Sequence, residues 1–409
     1  MSSGDTAWVL FSSGLVLFMT IPALALFYGG LVRRKNVLSV LMQCFITLAA
    51  VSVLWVTVGY TLAFSPKPLI PGILGNFDYA FLRGVGQAPS TAYATTVPHI
   101  AFMLFQMMFA AITPALIIGA FAERMRFSGF LVFTLLWTLL VYCPVAHWMW
   151  SPDGWLYKAG ALDFAGGVVV HINAGVAALA AAYIIGRRRS IKAYPPHNLT
   201  YTMMGAAMLW FGWFGFNGGS ALAANGLAAH AVLVTHLAAS AATLLWMILD
   251  WMILKRPTIL GAATGAIAGL AAITPGAGYV DVMGAMAIGL VSSGLCYAMV
   301  MVVKPRFMYD DALDAFGVHG IGGIWGTLAV GIFASPAVQP AVKGLFSGSG
   351  SLFFSQLLAT ITVGLFAFIA TAALLKAIDV LVSLRVSNLG EAAGLDVTEH
   401  HERAYTIIE

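Results

Sequence analysis

Apolar residues run along this chain in blocks of about 20, broken by short polar stretches, which is the length a helix needs to cross a hydrocarbon core. Eleven blocks are read, at 7–31, 38–64, 98–121, 128–149, 163–186, 200–219, 229–254, 258–274, 282–303, 315–335 and 351–376. They are continuous rather than alternating, which excludes the strand pattern of a membrane barrel. The expected fold is an all-α polytopic membrane protein with eleven transmembrane helices. The basic residues set its orientation, because lysine and arginine collect on the cytoplasmic side. With the N-terminus outside, 16 of the 20 fall inside, in breaks such as Arg33–Lys35, Arg187–Lys192 and Lys304–Arg306, and only Lys67, Arg83, Lys158 and Lys343 fall outside. The stretch 377–409 then forms a cytoplasmic tail. An odd count with opposed halves suggests a five-plus-five inverted repeat plus a final helix. The halves span about 7–186 and 200–335, and the extra helix 351–376 completes a membrane domain over 1–376. Identity between the halves does not reveal the repeat by itself.

Composition narrows the class. Residues are 60% apolar and 9% charged, against roughly a quarter charged in soluble domains. The net charge of +4 is scattered over short loops rather than gathered in a basic stripe, so no nucleic-acid partner is expected. Cys44, Cys143 and Cys296 are odd in number and lie apart in apolar runs, with neither a disulfide framework nor metal-ligand spacing. The N-terminal Met1–Asp5 carries only an acidic charge, unlike a signal peptide, so the first span is read as uncleaved.

Ionisable groups are expensive in hydrocarbon and usually face a pore or a partner. Two histidines sit inside apolar, glycine-rich segments: His171 in Asp163–Asn173 (DFAGGVVVHIN) and His319 in Phe316–Trp325 (FGVHGIGGIW). His171 lies eight residues beyond Asp163, about 12 Å along a helix, near the middle of a core about 30 Å thick. The plain role of a lone membrane histidine is a helix–helix hydrogen bond; a pair at the ends of two opposed halves points instead to a route for a molecule that gains and loses a proton. Asp163 has two readings, an N-cap aimed at the Ala165 and Gly166 amides or negative potential at a cation vestibule, and the two are compatible. Glycines at Gly166, Gly167, Gly212, Gly215, Gly218, Gly219, Gly320, Gly322, Gly323 and Gly326 allow close helix contact. Gly320-Ile-Gly322 is not a dinucleotide fingerprint, since Trp325 replaces its later glycine and no strand precedes it.

The segment Asp163–Asn173, with Phe27–Asn36 (FYGGLVRRKN), Gly119–Arg124 (GAFAER), Gly212–Asn217 (GWFGFN) and Asp314–Gly320 (DAFGVHG), resembles the ammonium transporter (Amt/Rh) family, its microbial Amt branch in particular. These blocks run in family order from the first span to the tenth. The resemblance implies a homotrimer with one pore per protomer. It implies substrate-binding roles at an outer cation site for Trp150, Ser220, Asp163, Phe105 and Thr274, a gate at Phe109 and Phe216, and twin pore histidines at His171 and His319. The segment between Trp150 and Asp163 looks one residue longer than the family pattern.

The expected activity is ammonium transport at the cell membrane, with no enzymatic reaction, cofactor or metal. Ammonium is recruited outside by cation–π attraction and a hydrogen bond, loses its proton, and crosses as ammonia, because burial disfavours the charged form of an amine. Tail residues 383–396 resemble tails that bind a PII-type regulatory protein, which leaves an ammonium sensor as the alternative. A membrane enzyme with a histidine-bound metal is a third class, weakened by the lack of carboxylate or cysteine ligands nearby.

Overall fold

The apolar blocks are helices in the computed structural model, which describes residues 1–189 and 195–405. In chain order they are α1 (Ser3–Leu31), α2 (Arg34–Phe64), α3 (His99–Phe121), α4 (Phe127–Lys158), α5 (Gly167–Ile185), α6 (Leu199–Gly219), α7 (Gly226–Leu254), α8 (Ile259–Ile273), α9 (Val282–Phe307), α10 (Phe316–Phe333) and α11 (Ser351–Leu381). Among the described residues, nine of these are long and apolar enough to cross a membrane. The other two are α6, rich in glycine and tryptophan, and α8, which has 15 residues. Large apolar side chains such as Phe45, Val53, Ile253, Met283 and Phe354 are exposed on the helix flanks, whereas His171, Asn173, Asn217 and Gln356 are buried inside. That inversion suits a multi-pass protein surrounded by lipid. Lys192 and tail residues 406–409 lie outside the described residues.

Two faces are distinguished by what meets there. Ser2 donates its N–H to Thr96 O at 2.7 Å, and Asp5 accepts from Ala224 N at 2.9 Å, so the N-terminus shares its face with the α2–α3 and α6–α7 connections. The α2–α3 connection holds two small antiparallel hairpins, β1 (Pro68–Ile70) with β2 (Leu74–Gly75) and β3 (Pro89–Ser90) with β4 (Ala94–Pro98). These are strands that an all-helical reading did not foresee. On the opposite face Glu123 binds Arg33 and Arg188 at 2.9 Å each, and Arg188 binds Asp310 at 2.8 Å. These contacts join the α1–α2, α3–α4, α5–α6 and α9–α10 connections.

The tail lies along that second face as two short helices, α12 (Asn388–Ala393) and α13 (Leu395–His400). Arg126 N–H donates to Leu384 O at 2.8 Å and Val386 N–H to Arg124 O at 3.1 Å. Glu391 takes Arg385 at 2.8 Å and the Arg189 amide at 2.6 Å. Asp396 accepts from Ser39 N at 2.9 Å, and Tyr405 meets His197 at 2.9 Å. The last membrane helix runs to Leu381 rather than ending at 376.

Helices approach where side chains are absent. A Cβ on Gly205 of α6 would lie 2.3 Å from Phe27 N of α1, and one on Gly269 of α8 would lie 2.6 Å from Ala238 O of α7. Such contacts drive association in lipid, where apolar burial gains nothing. The histidine helices cross in the same way and reciprocally. A Cβ on Gly175 of α5 would lie 2.2 Å from Gly320 N, and one on Gly323 of α10 would lie 2.9 Å from His171 Cβ.

Candidate functional site

His171 and His319 each sit on a π-helical turn, Gly167–Ile172 and Phe316–Gly320. Such turns accommodate one extra residue and occur often at functional sites. The first is set by Asp163. Its Oδ1 accepts from Gly166 N (2.9 Å) and Gly167 N (2.6 Å), and its Oδ2 from Val168 N (2.9 Å) and Val169 N (3.0 Å). These are the orphan donors at the start of α5. The helix begins at Gly167, not at 163, because 163–166 is the capping loop, with Gly166 at φ 108°. The bonded amides are 166–169; Ala165, one of the two expected, is not among them. Both carboxylate oxygens are bonded to backbone, and Asp163 does not line the cavity bordered by Trp150 and Ser220.

The two imidazoles lie nearly parallel, 5.3 Å apart at 13°. His171 is 1% exposed, and neither of its nitrogens has a hydrogen-bond partner; Nδ1 of His319 has none either. Buried polar atoms are normally partnered. Here they border a chamber of about 10 Å³ whose other walls are apolar, among them Leu24, Ile112, Leu116 and Ile267. That is room for about one water-sized molecule.

Rings close the chamber on the N-terminal side. Trp213 stacks on His171 at 5.5 Å and Phe216 lies 6.0 Å away. Phe109 covers Phe216 at 4.3 Å and 33°. Trp150 meets Phe109 edge-on at 5.8 Å, its Nε1 donating to Asp163 O at 2.9 Å. Beyond this pair opens a cavity of about 360 Å³ lined by Trp150, Phe109 and Ser220 together with Gln106, Tyr93 and Phe164. No charged side chain lines it among the described residues; a cation there meets aromatic faces and neutral oxygens. Ser220 Oγ donates to Phe216 O at 2.9 Å, leaving its lone pairs free to accept. Gln106 Oε1 is buried without a partner.

Two expected vestibule residues sit elsewhere. Phe105 is 1% exposed and packs behind Phe109 at 4.9 Å, so it backs the Phe109 ring. Thr274 is fully buried, donates to Leu270 O at 2.8 Å and accepts from Trp213 Nε1 at 2.9 Å. It orients the tryptophan over His171 and does not line the cavity beyond Phe109 and Phe216.

On the tail side His319 borders a second cavity of about 500 Å³, whose walls include Tyr28, Trp246, Asp250, Asp314 and Arg188. Its rim is an ionic cluster. Burial alone would raise the Asp310 carboxyl, but Arg188 and Arg124 outweigh it and bring it down to about 2. Burial likewise works against the Glu123 carboxylate, and Arg188 and Arg33 together hold it below the ordinary range. Asp311 goes the other way: burial, with Asp314 adding, pushes it up to about 6 against the pull of Lys304.

Three residues of this site escaped the sequence reading. Trp213 lay inside a quoted motif without a role. Asp311 accepts from Phe316 N at 2.8 Å at the start of α10, and the available signal was spacing, since it precedes His319 by eight residues as Asp163 precedes His171. Gln106 stands beside Phe105 on α3 and had no distinguishing pattern.

Known proteins share this architecture. A family model described as Ammonium Transporter Family matches residues 7–405. An "Ammonium transporter" of Bacillus subtilis (strain 168) is 50% identical over 406 residues, covering 99% of each chain. The crystal structure of Saccharomyces cerevisiae Mep2 superposes with a TM-score of 0.91 at 34% identity, covering 100% of this chain and 94% of that one. A solved structure named "Sensor Amt Protein" gives 0.89 at 30% identity, covering 97% and 98%.

Proposed function

The chain belongs to the ammonium transporter family, and from that premise we propose that it moves ammonium across the cell membrane by binding the cation outside, removing its proton and conducting ammonia past the two histidines. The observation that carries this reading is the near-parallel imidazole pair, its nitrogens unpartnered, in an apolar chamber between two larger cavities. An ion in so dry a place loses hydration worth several kcal/mol or more. A neutral amine loses far less, and it finds on each ring one donor and one acceptor.

Each layer has its own task. Trp150 attracts the cation through its ring, worth roughly 0.5–2 kcal/mol, while the free lone pairs of Ser220 accept an N–H. The covered pair Phe109 and Phe216 keeps hydrated ions out. Potassium matches ammonium in size but has no proton to shed, so it stops at the outer cavity. Asp163 serves indirectly, by fixing the turn that aims His171.

The reading extends to arrangement. The chain crosses the membrane eleven times in two inverted halves, with the N-terminal face outside and the tail inside; the basic-residue asymmetry and the reciprocal glycine contacts of α5 and α10 support this. Three copies form a trimer. A PII-type protein engages the tail face, where a three-fold partner meets three pore exits at once. A sensor role is the second reading, favoured by the solved "Sensor Amt Protein". Current and uptake recorded together on proteoliposomes test the proposal: ammonium-dependent flux that rejects potassium is expected, and a folded protein that passes no ammonium refutes it in favour of sensing.

A further inference from the structure

Asp250 near the end of α7 is 2% exposed and lines the tail-side cavity. Charged groups around that cavity are otherwise matched: Asp314 binds Lys304 at 2.5 Å, and Arg188 binds Glu123 and Asp310. Asp250 makes no ion pair among the described residues. Neutral hydroxyls surround it instead. Thr258 donates to Oδ2 at 2.5 Å, and Tyr297 lies alongside. The nearest cations along the chain, Lys255 and Arg256, are exposed, and the Lys255 ammonium donates to Met252 O at 2.9 Å.

The backbone is shaped around this carboxylate. A Cβ on Gly261 would lie 2.0 Å from Asp250 Oδ2 and 2.8 Å from Trp246 Cδ1. Only glycine leaves the space in which carboxylate and indole sit side by side. Trp246 stands one helical turn before Asp250 and so shares its face. Thr264, on the same cavity wall, donates its hydroxyl to Leu260 O at 2.8 Å, which leaves its lone pairs free. A buried carboxylate without a cation is costly, and a cavity that admits a small cation relieves that cost.

We propose that Asp250, Trp246 and Thr264 form a second ammonium site, on the exit side of the pore. Its ligand identity rests on the transport reading above. The site takes a monovalent cation with N–H donors: the carboxylate and the threonine oxygen accept hydrogen bonds, and the indole face attracts the charge. One carboxylate is too few hard ligands for calcium, which takes six to eight oxygens. The outer cavity recruits with a tryptophan and a hydroxyl alone; this one adds a full negative charge and so holds ammonium more tightly. Outward flux therefore saturates at lower ammonium than inward flux does.

Crystals of the whole protein soaked in thallium(I), a monovalent stand-in, give the direct test. Anomalous density beside Asp250 is expected in the wild type, and none in Asp250→Asn, which keeps an oxygen for Thr258. In proteoliposomes Asp250→Asn should raise the internal ammonium needed for half-maximal outward flux about tenfold, the loss of a charge-assisted hydrogen bond, and leave inward half-saturation unchanged. No density beside Asp250 in the wild type overturns the proposal even where the variant fails to fold, and so does density that persists in Asp250→Asn. A wild-type protein that binds thallium there and carries no ammonium refutes the transport reading and leaves the site standing.

Discussion

Asparagine at position 163 tests how far the pore depends on one cap. An amide side chain has a single acceptor oxygen, whereas the four amides of residues 166–169 divide equally between Oδ1 and Oδ2 of Asp163. Asp163→Asn therefore keeps at most two of these bonds and turns an NH2 group towards the other two donors. Hydrogen bonds to a charged group contribute about 1.5–3 kcal/mol each, so losing two costs about 3–6 kcal/mol before the backbone relaxes. Asp163→Ala strands all four donors at about 1–3 kcal/mol each, a loss comparable to the whole stability of many domains; this variant should not accumulate in folded form. In Asp163→Asn the turn at Gly167–Ile172 shifts to find partners, and His171 moves with it. A displacement near 1 Å costs about a hundredfold where geometry governs rate. Thermal unfolding of the purified protein should show a clearly lower midpoint, and ammonium flux in proteoliposomes should fall at least tenfold by the same geometric reasoning. An Asp163→Asn protein that melts and transports as the wild type does refutes the claim that this carboxylate sets the pore.

Alanine at His171 or His319 should greatly reduce selective ammonium flux while the protein stays folded; full flux with potassium still rejected in both variants contradicts the imidazole route. Phe216→Ala opens the covered ring pair and should abolish or deregulate flux, so unchanged conductance and ion exclusion count against a gate. The Asp310 ion pair stabilises the tail face fully above the free-carboxyl range, where the carboxylate is ionised, and is lost as pH falls through about 2. A shift of this size is worth about 2 kcal/mol, so unfolding followed from pH 5 to 2 should show a loss that Asp310→Asn lacks. Pull-down with a PII-type protein, with and without ATP, ADP and 2-oxoglutarate, should capture the full chain and fail with a chain truncated after Lys376.

The helix order was legible because hydrocarbon demands long apolar blocks, and the histidines were legible because ionisable groups are rare in them. What hid from the sequence was which neighbour claims each side chain, whether one turn away on the same helix or on another helix. Thr274 and Phe105 carry vestibule-like chemistry, yet Trp213 and Phe109 claim their faces. The start of α5 was misplaced because a cap ordinarily sits next to the first helical residue, whereas the Asp163 carboxylate reaches across a short loop to the amides of residues 166–169. The hairpins of the α2–α3 connection gave too few residues for a period-two pattern: the longest strand, Ala94–Pro98, has five. Asp250 stands near the end of an apolar block with no motif around it, and the cavity beside it is built by residues from several helices.

The π-helical turns restrict how this chain can change length. Within a helix each residue turns the face by about 100°, so deleting one residue between Asp163 and His171 either swings the imidazole out of line with Phe216 and His319 or is absorbed by the Gly167–Ile172 turn, which then reverts to ordinary helix and loses the widened turn that carries His171. The same deletion between Ser151 and Gly154, where the backbone of α4 leaves the helix for a local turn, lies outside the interval that sets the ring. Insertions and deletions in lineages that keep this pore should therefore collect before Asp163 and before Asp311, and the two eight-residue intervals that end in histidine should keep their length even where their residues drift.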